Sequence, residues 1–448
     1  LYEPTPDAVA VRTYLHAGYV PSPLTGFEGV SKIPPGGWLT VEDGVIREGR
    51  FWLPRFRSDG PSRTEAEHVD HLRQLIEAAI SSHLDADVPV GLFISGGLDS
   101  STIALSAAGL HPQRLKSYSI VFPEDPGADE SRFSRLIAGR IGSDHHEIEF
   151  RLDDLPGILS KVARAVEEPS LRSPWVLDHL LAKHASTGVK AVLTGEGADE
   201  LFGGYPWLRN RPYSVGESFN GFFPRRLAGS LATRLRDYRA RRGFRALAAP
   251  DRRALDLEWY RHLSPALTDD CLSPDFTSIE PNLDLLLPAP EILASCSDRL
   301  QRRLAIELWG RLPDGILMPS DKVSMTHSLE LRMPFLDHPI VDYALGLPSK
   351  LKIKRRSEKH ILKLASGVPQ EIVTRQKFGL RYGSVIGPVF ARMARDTILD
   401  ARDLCPYIQR DTVETGLAKD GVSHWVLIHL VMLQCWWGEC MKSEAVRV

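Results

Sequence analysis

Val88-Pro89-Val90-Gly91-Leu92-Phe93-Ile94 runs straight into Ser95-Gly96-Gly97-Leu98-Asp99-Ser100-Ser101, and this junction decides the fold. A continuous apolar run is what a parallel strand buried on both faces looks like. The two glycines after it let the backbone approach phosphates and turn its N–H groups toward them. A helix predicted over Thr102–Ala108 adds the positive end of its dipole. Ser95, Ser100 and Ser101 supply hydroxyls, and Asp99 is an acid suited to hold Mg²⁺ bridging the bound anions. A Walker A loop would carry a Lys after its glycines, and a dinucleotide fingerprint a third Gly. Neither is present. The alternative is an ordinary tight strand-to-helix turn.

The same alternation continues outward. Strands are predicted over Leu115–Phe122, His146–Phe150 and Val189–Thr194, and helices over Ser131–Ile141, Leu155–Glu167 and Trp175–Ala185. Strands alternating with helices predict an α/β fold with a doubly wound parallel sheet. After Tyr205 the pattern turns helical with no further strand expected. Upstream, Thr64 and Glu67 form a capping-box signature for a helix carrying Val69, Leu72, Leu75, Ile76, Ala79 and Ile80 at helical spacing. Ser58–Arg63 reads as a linker. Residues 1–57 hold a short helix at Ala8–Gly18, a strand at Trp38–Val41 and a turn at Glu42-Asp43-Gly44. They are too few and too loop-rich for a core of their own and read as the tail of a larger β-rich domain.

The second chemical motif is Thr194-Gly195-Glu196-Gly197-Ala198-Asp199-Glu200-Leu201-Phe202-Gly203-Gly204-Tyr205, again at the carboxyl end of a predicted strand. Such ends build the site of an open α/β sheet near its topological switch point. Asp199 is therefore expected to face Asp99 across one metal–phosphate cluster, with Glu196 placed to act as a general base. The alternative is that Asp199 and Glu200 cap the next helix. A third segment, Asp321-Lys322-Val323-Ser324-Met325 through Leu329-Glu330-Leu331-Arg332-Met333-Pro334-Phe335-Leu336-Asp337, is expected to end a helix at Pro334. Arg332 there is suited to clamp a substrate carboxylate, with an ion-pair network holding helices together as the alternative. In Arg375-Gln376-Lys377-Phe378-Gly379, Lys377 is placed to neutralise charge on a transferring phosphoryl group, or is simply solvated.

Taken together, these segments resemble the synthetase domain of glutamine-dependent asparagine synthetases, of the ATP-pyrophosphatase type. The resemblance covers almost the whole chain: SGGLDSS at 95–101, DHHEIEF at 144–150, TGEGADELFGGY at 194–205, DKVSMTHSLELRMPFLDH at 321–338, KHILKLA at 359–365 and RQKFG at 375–379. It implies an adenine-nucleotide α-hydrolase type sheet with a helical C-terminal half, over 58–448. Residues 1–57 resemble the last part of the family's β-rich glutaminase-like domain. No cysteine here matches the family's N-terminal Cys nucleophile by position, so glutaminase activity is expected either to be lost or to lie in residues outside these.

Carried over position by position, the resemblance implies that Ser95, Gly96, Gly97, Ser100 and Ser101 bind pyrophosphate. Phe93, Ile120, Thr194 and Gly195 contact the adenosine end of ATP. Asp99 and Asp199 hold Mg²⁺, Lys377 stabilises the adenylation transition state, and Glu196 assists deprotonation of the attacking amine. Asp321, Glu330 and Arg332 are the substrate-binding candidates. The related β-lactam synthetases carry a Tyr where this chain has Glu196. The implied reaction is ATP-dependent amide formation with release of AMP and pyrophosphate. Aspartate plus ammonia is the default pair; macrolactam-forming lasso-peptide cyclases, which act on a peptide carboxylate with an amine donor, are the alternative. A non-catalytic ATP-binding partner subunit is the third reading.

Composition narrows the rest. The 448 residues are 43% apolar and 25% charged, which excludes disordered and collagen-like chains. Fifty-five basic against 57 acidic residues give no global grip on nucleic acid, and no nucleic-acid or membrane partner is expected. A homodimer is allowed. Five scattered cysteines without a CxxC pair suit a reducing compartment. No signal-peptide pattern opens these residues, so a cytoplasmic location is expected. The apolar stretch Gly421–Gly438 is expected to be a buried helix rather than a membrane span. Trp425, Trp436 and Trp437 are expected in the core, and the arginines from Arg234 to Arg253 on a solvated face. His145-His146 is expected to open a strand rather than bind metal.

Overall fold

The computed structural model describes residues 3–57, 63–127, 129–170, 174–209, 247–260, 269–355, 357–375, 387–418 and 424–442. The predicted linker, apart from Arg63, and the arginines 234–245 lie outside the described residues. Arg252 and Arg253 sit in the helix Arg252–Tyr260 and pair with Asp256 and Asp284.

Helix α1 (Ala8–Ala17) starts where the Asp7 side chain accepts from the Ala10 N–H, and it stops at left-handed Gly18. It is packed into the body of the protein. Ala10, Val11, Tyr14 and Leu15 are buried with residues of the helix His424–Trp436, and Tyr14 Oη donates to the His429 carbonyl at 3.0 Å. The hairpin β1 (Gly37–Glu42) and β2 (Val45–Arg50) turns at Asp43-Gly44, both with positive φ (52° and 77°), as a tight hairpin turn needs. Its apolar side chains Val41 and Ile46 remain exposed.

Helix α2 (Glu65–Leu84) carries the capping box read from the sequence: Thr64 Oγ1 accepts from Glu67 N, and Glu67 Oε2 accepts from Thr64 N. It leads to β3 (Val90–Phe93), α3 (Leu98–Leu110), β4 (Lys116–Val121), α4 (Ser131–Ile141), β5 (Asp144–Glu149), α5 (Leu155–Val166), α6 (Pro174–Ala185), β6 (Ala191–Leu193) and α7 (Ala198–Phe202). Helix α3 begins four residues before its predicted start because Gly97 is already its N-cap. That shift puts Asp99 in the first helical turn.

A fifth strand, β7 (Glu330–Arg332), corrects the expectation that no strand follows Tyr205. Three residues with two charged side chains carry no strand pattern; they are extended because they pair in parallel with β6. The preceding helix ends at Met325, and Pro334 opens a 3₁₀ turn rather than ending a helix. The parallel sheet has the order β5-β4-β3-β6-β7. The chain steps outward from β3 through β4 to β5, then returns to the other side of β3 with β6. The order reverses between β3 and β6, which is the switch point where such sheets bind ligands.

Both faces of the sheet are covered, as in a doubly wound fold. Leu92, Ile94 and Leu193 share a core with α2, α3 and α4. Tyr118, Ile148, Val192 and Leu329 pack against Ala182 and Ala185 of α6. A second core joins α1, α5 and the helix His424–Trp436, the buried helix expected from the apolar stretch. Trp436 and Trp437 are buried in it, and Trp436 Nε1 donates to the Glu167 carbonyl at 3.0 Å; the Trp425 side chain lies outside the described ones. Among the described residues no helix is long and apolar enough to cross a membrane.

Candidate functional site

Two loops leave the sheet at the switch point and touch. The first follows β3. Gly96 takes φ +66°, and a Cβ on it would lie 2.5 Å from Phe133 Cβ and 2.7 Å from Ser134 N, so the loop runs flush against the start of α4. Its hydroxyls shape it from within: Gly97 N donates to Ser95 Oγ at 3.3 Å, Ser95 N donates to Ser100 Oγ at 3.2 Å, and the two hydroxyls meet at 3.0 Å. Gly97 has no side chain to cap α3, which leaves the first N–H groups of a thirteen-residue helix for an anion. Ser101 Oγ is buried without a hydrogen-bond partner among the described residues.

The second loop follows β6. Thr194 N donates to the Arg332 carbonyl at 2.9 Å, while Thr194 Oγ1 is buried with no partner among the described residues. A Cβ at Gly195 would sit 3.0 Å from both Asp99 Cβ and Ser100 N, so this backbone lies directly on the first loop. Glu196 follows with a buried Oε2 that has no partner among the described residues. Helix α7 takes its N-cap from Gly197 with no side-chain cap bond, so Asp199 and Glu200 are not used as caps. Glu200 turns inward: it accepts from Tyr205 Oη, and burial, followed by the Asp199 charge, raises its pKa.

Asp99 and Asp199 meet through a residue that the sequence left without a role. Lys359 Nζ lies 2.6 Å from Asp99 Oδ2 and 2.6 Å from Asp199 Oδ1. Burial opposes the ammonium, but Asp199 and Asp99 outweigh it, and its pKa stands above the ordinary lysine value. Lys359 adopts a left-handed backbone (φ 51°) at the start of the helix His360–Ala365. Gly204 makes room for it, since a Cβ there would overlap both Asp199 Oδ1 and Lys359 Cε. Asp99 Oδ1 is buried with no hydrogen-bond partner among the described residues.

The donor set fits a hard divalent cation: two carboxylates, an orphaned Asp99 oxygen and an adjoining anion cradle. Among the described residues no group of three or more His, Cys, Asp or Glu gathers as a metal site. Mg²⁺ here would therefore complete its shell with water and phosphate oxygens, its usual habit.

Arg375 is a second residue that the sequence reading passed over. It forms a two-point ion pair with Glu130 (Nη1–Oε1 2.8 Å, Nη2–Oε2 3.3 Å). Its guanidinium lies 4.5 Å from the Phe133 ring centroid, and Nη2 is 3.7 Å from the position a Gly97 Cβ would take. It is a fixed cation beside the first loop and leads directly into Lys377, which lies outside the described residues. Both Arg375 and Lys359 stand inside motifs quoted above; only the fold shows that they reach the loops.

The other candidates are distributed as follows. Phe93 and Ile120 stand near the carboxyl ends of β3 and β4, half-buried, with Phe93 edge-on to Tyr118. Glu330 and Arg332 are paired with each other at 3.1 Å, and Arg332 also donates to the His83 carbonyl at 2.7 Å. Asp321 is exposed on the helix Met318–Met325. His145 bonds Ser117 Oγ and Ser119 Oγ at 2.8 and 3.1 Å, a contact between strands.

Comparison with known proteins adds the following. The family model for asparagine synthase matches residues 71–437. A Mycobacterium tuberculosis protein provisionally named asparagine synthetase (glutamine-hydrolyzing) is 32% identical over 390 residues, 83% of this chain and 57% of that protein. Asparagine synthetase (glutamine-hydrolyzing) 1 of Bacillus subtilis is 31% identical over 385 residues, 83% of this chain and 58% of that one. A Gibberella zeae protein named Amidase chry2 is 28% identical over 407 residues, 81% of this chain and 59% of that protein. The chain thus spans somewhat under three fifths of the length of the curated relatives it matches.

Proposed function

Because the chain belongs to the asparagine synthase family, we propose that it is an ATP-dependent carbon–nitrogen ligase. A substrate carboxylate attacks the α-phosphorus of ATP and displaces pyrophosphate. A nitrogen nucleophile then attacks the acyl carbon, loses a proton and releases AMP. The observation that carries this reading is the contact of the two loops at the switch point, with Asp99 and Asp199 close enough to share one cation.

Each residue has a part in that reaction. The N–H groups and hydroxyls of Ser95–Ser101 hold the pyrophosphate, with Arg375 at its flank. Phe93, Ile120, Thr194 and Gly195 bound the adenosine. Asp99 and Asp199 hold Mg²⁺, which when bound supplies charge neutralisation on the phosphates. Lys377 carries a positive charge to the reacting phosphoryl group. Glu196, with an oxygen that has no hydrogen-bond partner among the described residues, takes the proton of the attacking amine. Catalysis on this reading is positioning plus charge neutralisation.

Aspartate with ammonia is the first substrate pair, supported by relatives named asparagine synthetase. A second reading, another acid joined to an amine, is favoured by two relatives named amidases, each 28% identical. Incubation with ATP, Mg²⁺, aspartate and ammonium, read by mass spectrometry, separates them. Asparagine with equimolar AMP supports the first. AMP formed only with a different carboxylate supports the second. Asp99→Asn is expected to end ATP turnover and leave the fold intact; a fully active variant would remove Asp99 from the site.

A further inference from the structure

We propose that Lys359 is a built-in counter-ion that holds Asp99 and Asp199 together and keeps divalent metal out of the nucleotide-free site, so that metal enters only together with nucleotide. This rests on the reading of the two loops as a metal–nucleotide site.

The geometry carries the argument. The ammonium sits 2.6 Å from one oxygen of each carboxylate; an ion bridging the same two oxygens would need nearly the same point in space, and one held through the other Asp99 oxygen would still stand beside the ammonium on the same carboxylate. Mg²⁺ would stand at about 2.1 Å from each oxygen, too close to an ammonium for both to stay. Charge gives the same answer: two carboxylates less one ammonium leave a single negative charge, which attracts a dication weakly and only against a neighbouring cation.

The contact is built rather than incidental. The lysine side chain is 8% exposed, its backbone is held in the left-handed region, and Gly204 is empty of side chain where the lysine passes. Burying a lysine this deeply is unfavourable unless it is paired, and both partners are the carboxylates expected to bind metal. Arriving phosphates change the balance. They offer the ammonium another anion and the metal further oxygen ligands, so the two aspartates can exchange one cation for the other without ever facing each other uncompensated.

Mn²⁺ is the probe, and electron paramagnetic resonance of free against bound ion is the readout. The wild-type protein should take up no stoichiometric Mn²⁺ alone and should take it up with ATP. Lys359→Met, shown to be folded by its melting curve, should bind one Mn²⁺ without nucleotide, about tenfold or more tighter than wild type. Adding Asp199→Asn to that variant should abolish the gain. Wild-type protein that binds Mn²⁺ alone as tightly as the variant overturns the proposal. So does a folded variant that gains no Mn²⁺ while wild type still binds it with ATP; in that case the reading of the site stands. Wild-type protein that fails to bind Mn²⁺ even with ATP removes the site reading itself. Should Lys359→Met not fold, Lys359→Gln replaces it and is read in the same way.

Discussion

Replacing Lys352 by methionine is expected to stabilise the protein at neutral pH. Lys352 ends the short helix Ser349–Lys352 with its side chain fully buried. Its Nζ has no hydrogen-bond partner among the described residues and lies 5.9 Å from the Phe56 ring centroid. Burial pulls its pKa from the ordinary 10.5 down to about 7, against the opposing pull of Asp298 and Cys296. At ~1.4 kcal/mol per decade of proton affinity, that fall corresponds to roughly 5 kcal/mol of lost stability when the unfolded chain carries a charged lysine. Relaxation around the amine reduces this, and a gain of about 3 kcal/mol for the methionine variant is the working figure. Methionine keeps the length and volume of the stem and packs well on an aromatic ring. Asp298 is not stranded by the change, because it still accepts from Gln301 N at 3.0 Å and Ser349 Oγ at 2.9 Å.

The pH dependence identifies the cause. The folded-state pKa lies below the unfolded one, so between about 7 and 10.5 the unfolded chain binds more protons and wild-type stability rises with pH. Urea unfolding of both proteins at pH 7 and pH 10 measures this. Lys352→Met should lead at pH 7, and the gap should shrink by pH 10. A variant less stable than wild type at pH 7, with a gap that ignores pH, would refute the reasoning and give the amine a stabilising role.

Three further outcomes are expected. Gly204→Ala should push Lys359 off its carboxylates; unfolding measurements should show a loss of about 1–3 kcal/mol, with ATP turnover falling more steeply than stability. Arg375→Gln should weaken pyrophosphate or ATP binding by about tenfold, read by calorimetry, with little change in substrate-acid affinity. His179 contacts His327 at 3.1 Å, and burial, then the His327 charge, lowers its pKa from 6.5 to about 4. Its neutral form is therefore favoured in the fold, and stability is lost as pH falls through that window. Solvent screening brings the effect to about 1–2 kcal/mol, and His179→Asn should flatten the acid limb of the unfolding curve by that amount.

The alternating apolar and helical runs from Val88 to Thr194 determined the α/β class, because the central strands β3 and β6 are buried on both faces and helices such as α4 and α5 have a periodic apolar face. The two glycine-rich loops announced themselves as well. Their glycines and acids sit directly after strands, and strand ends are where such sheets place chemistry. Thr64 and Glu67 were legible for the same reason: capping is a contact between residues three apart. What stayed hidden depended on partners distant in the chain. β7 is a strand only because β6 lies beside it, and Arg332 stays near its own strand because Glu330 and the His83 carbonyl hold it.

Lys359 is the sharpest case. In the sequence it is a basic residue at the head of an apolar helix, 260 positions from Asp99. Only the tertiary structure brings it between Asp99 and Asp199, because an ion pair is fixed by distance in space, and the sequence carries no signal for it beyond Gly204, the residue that makes its passage possible.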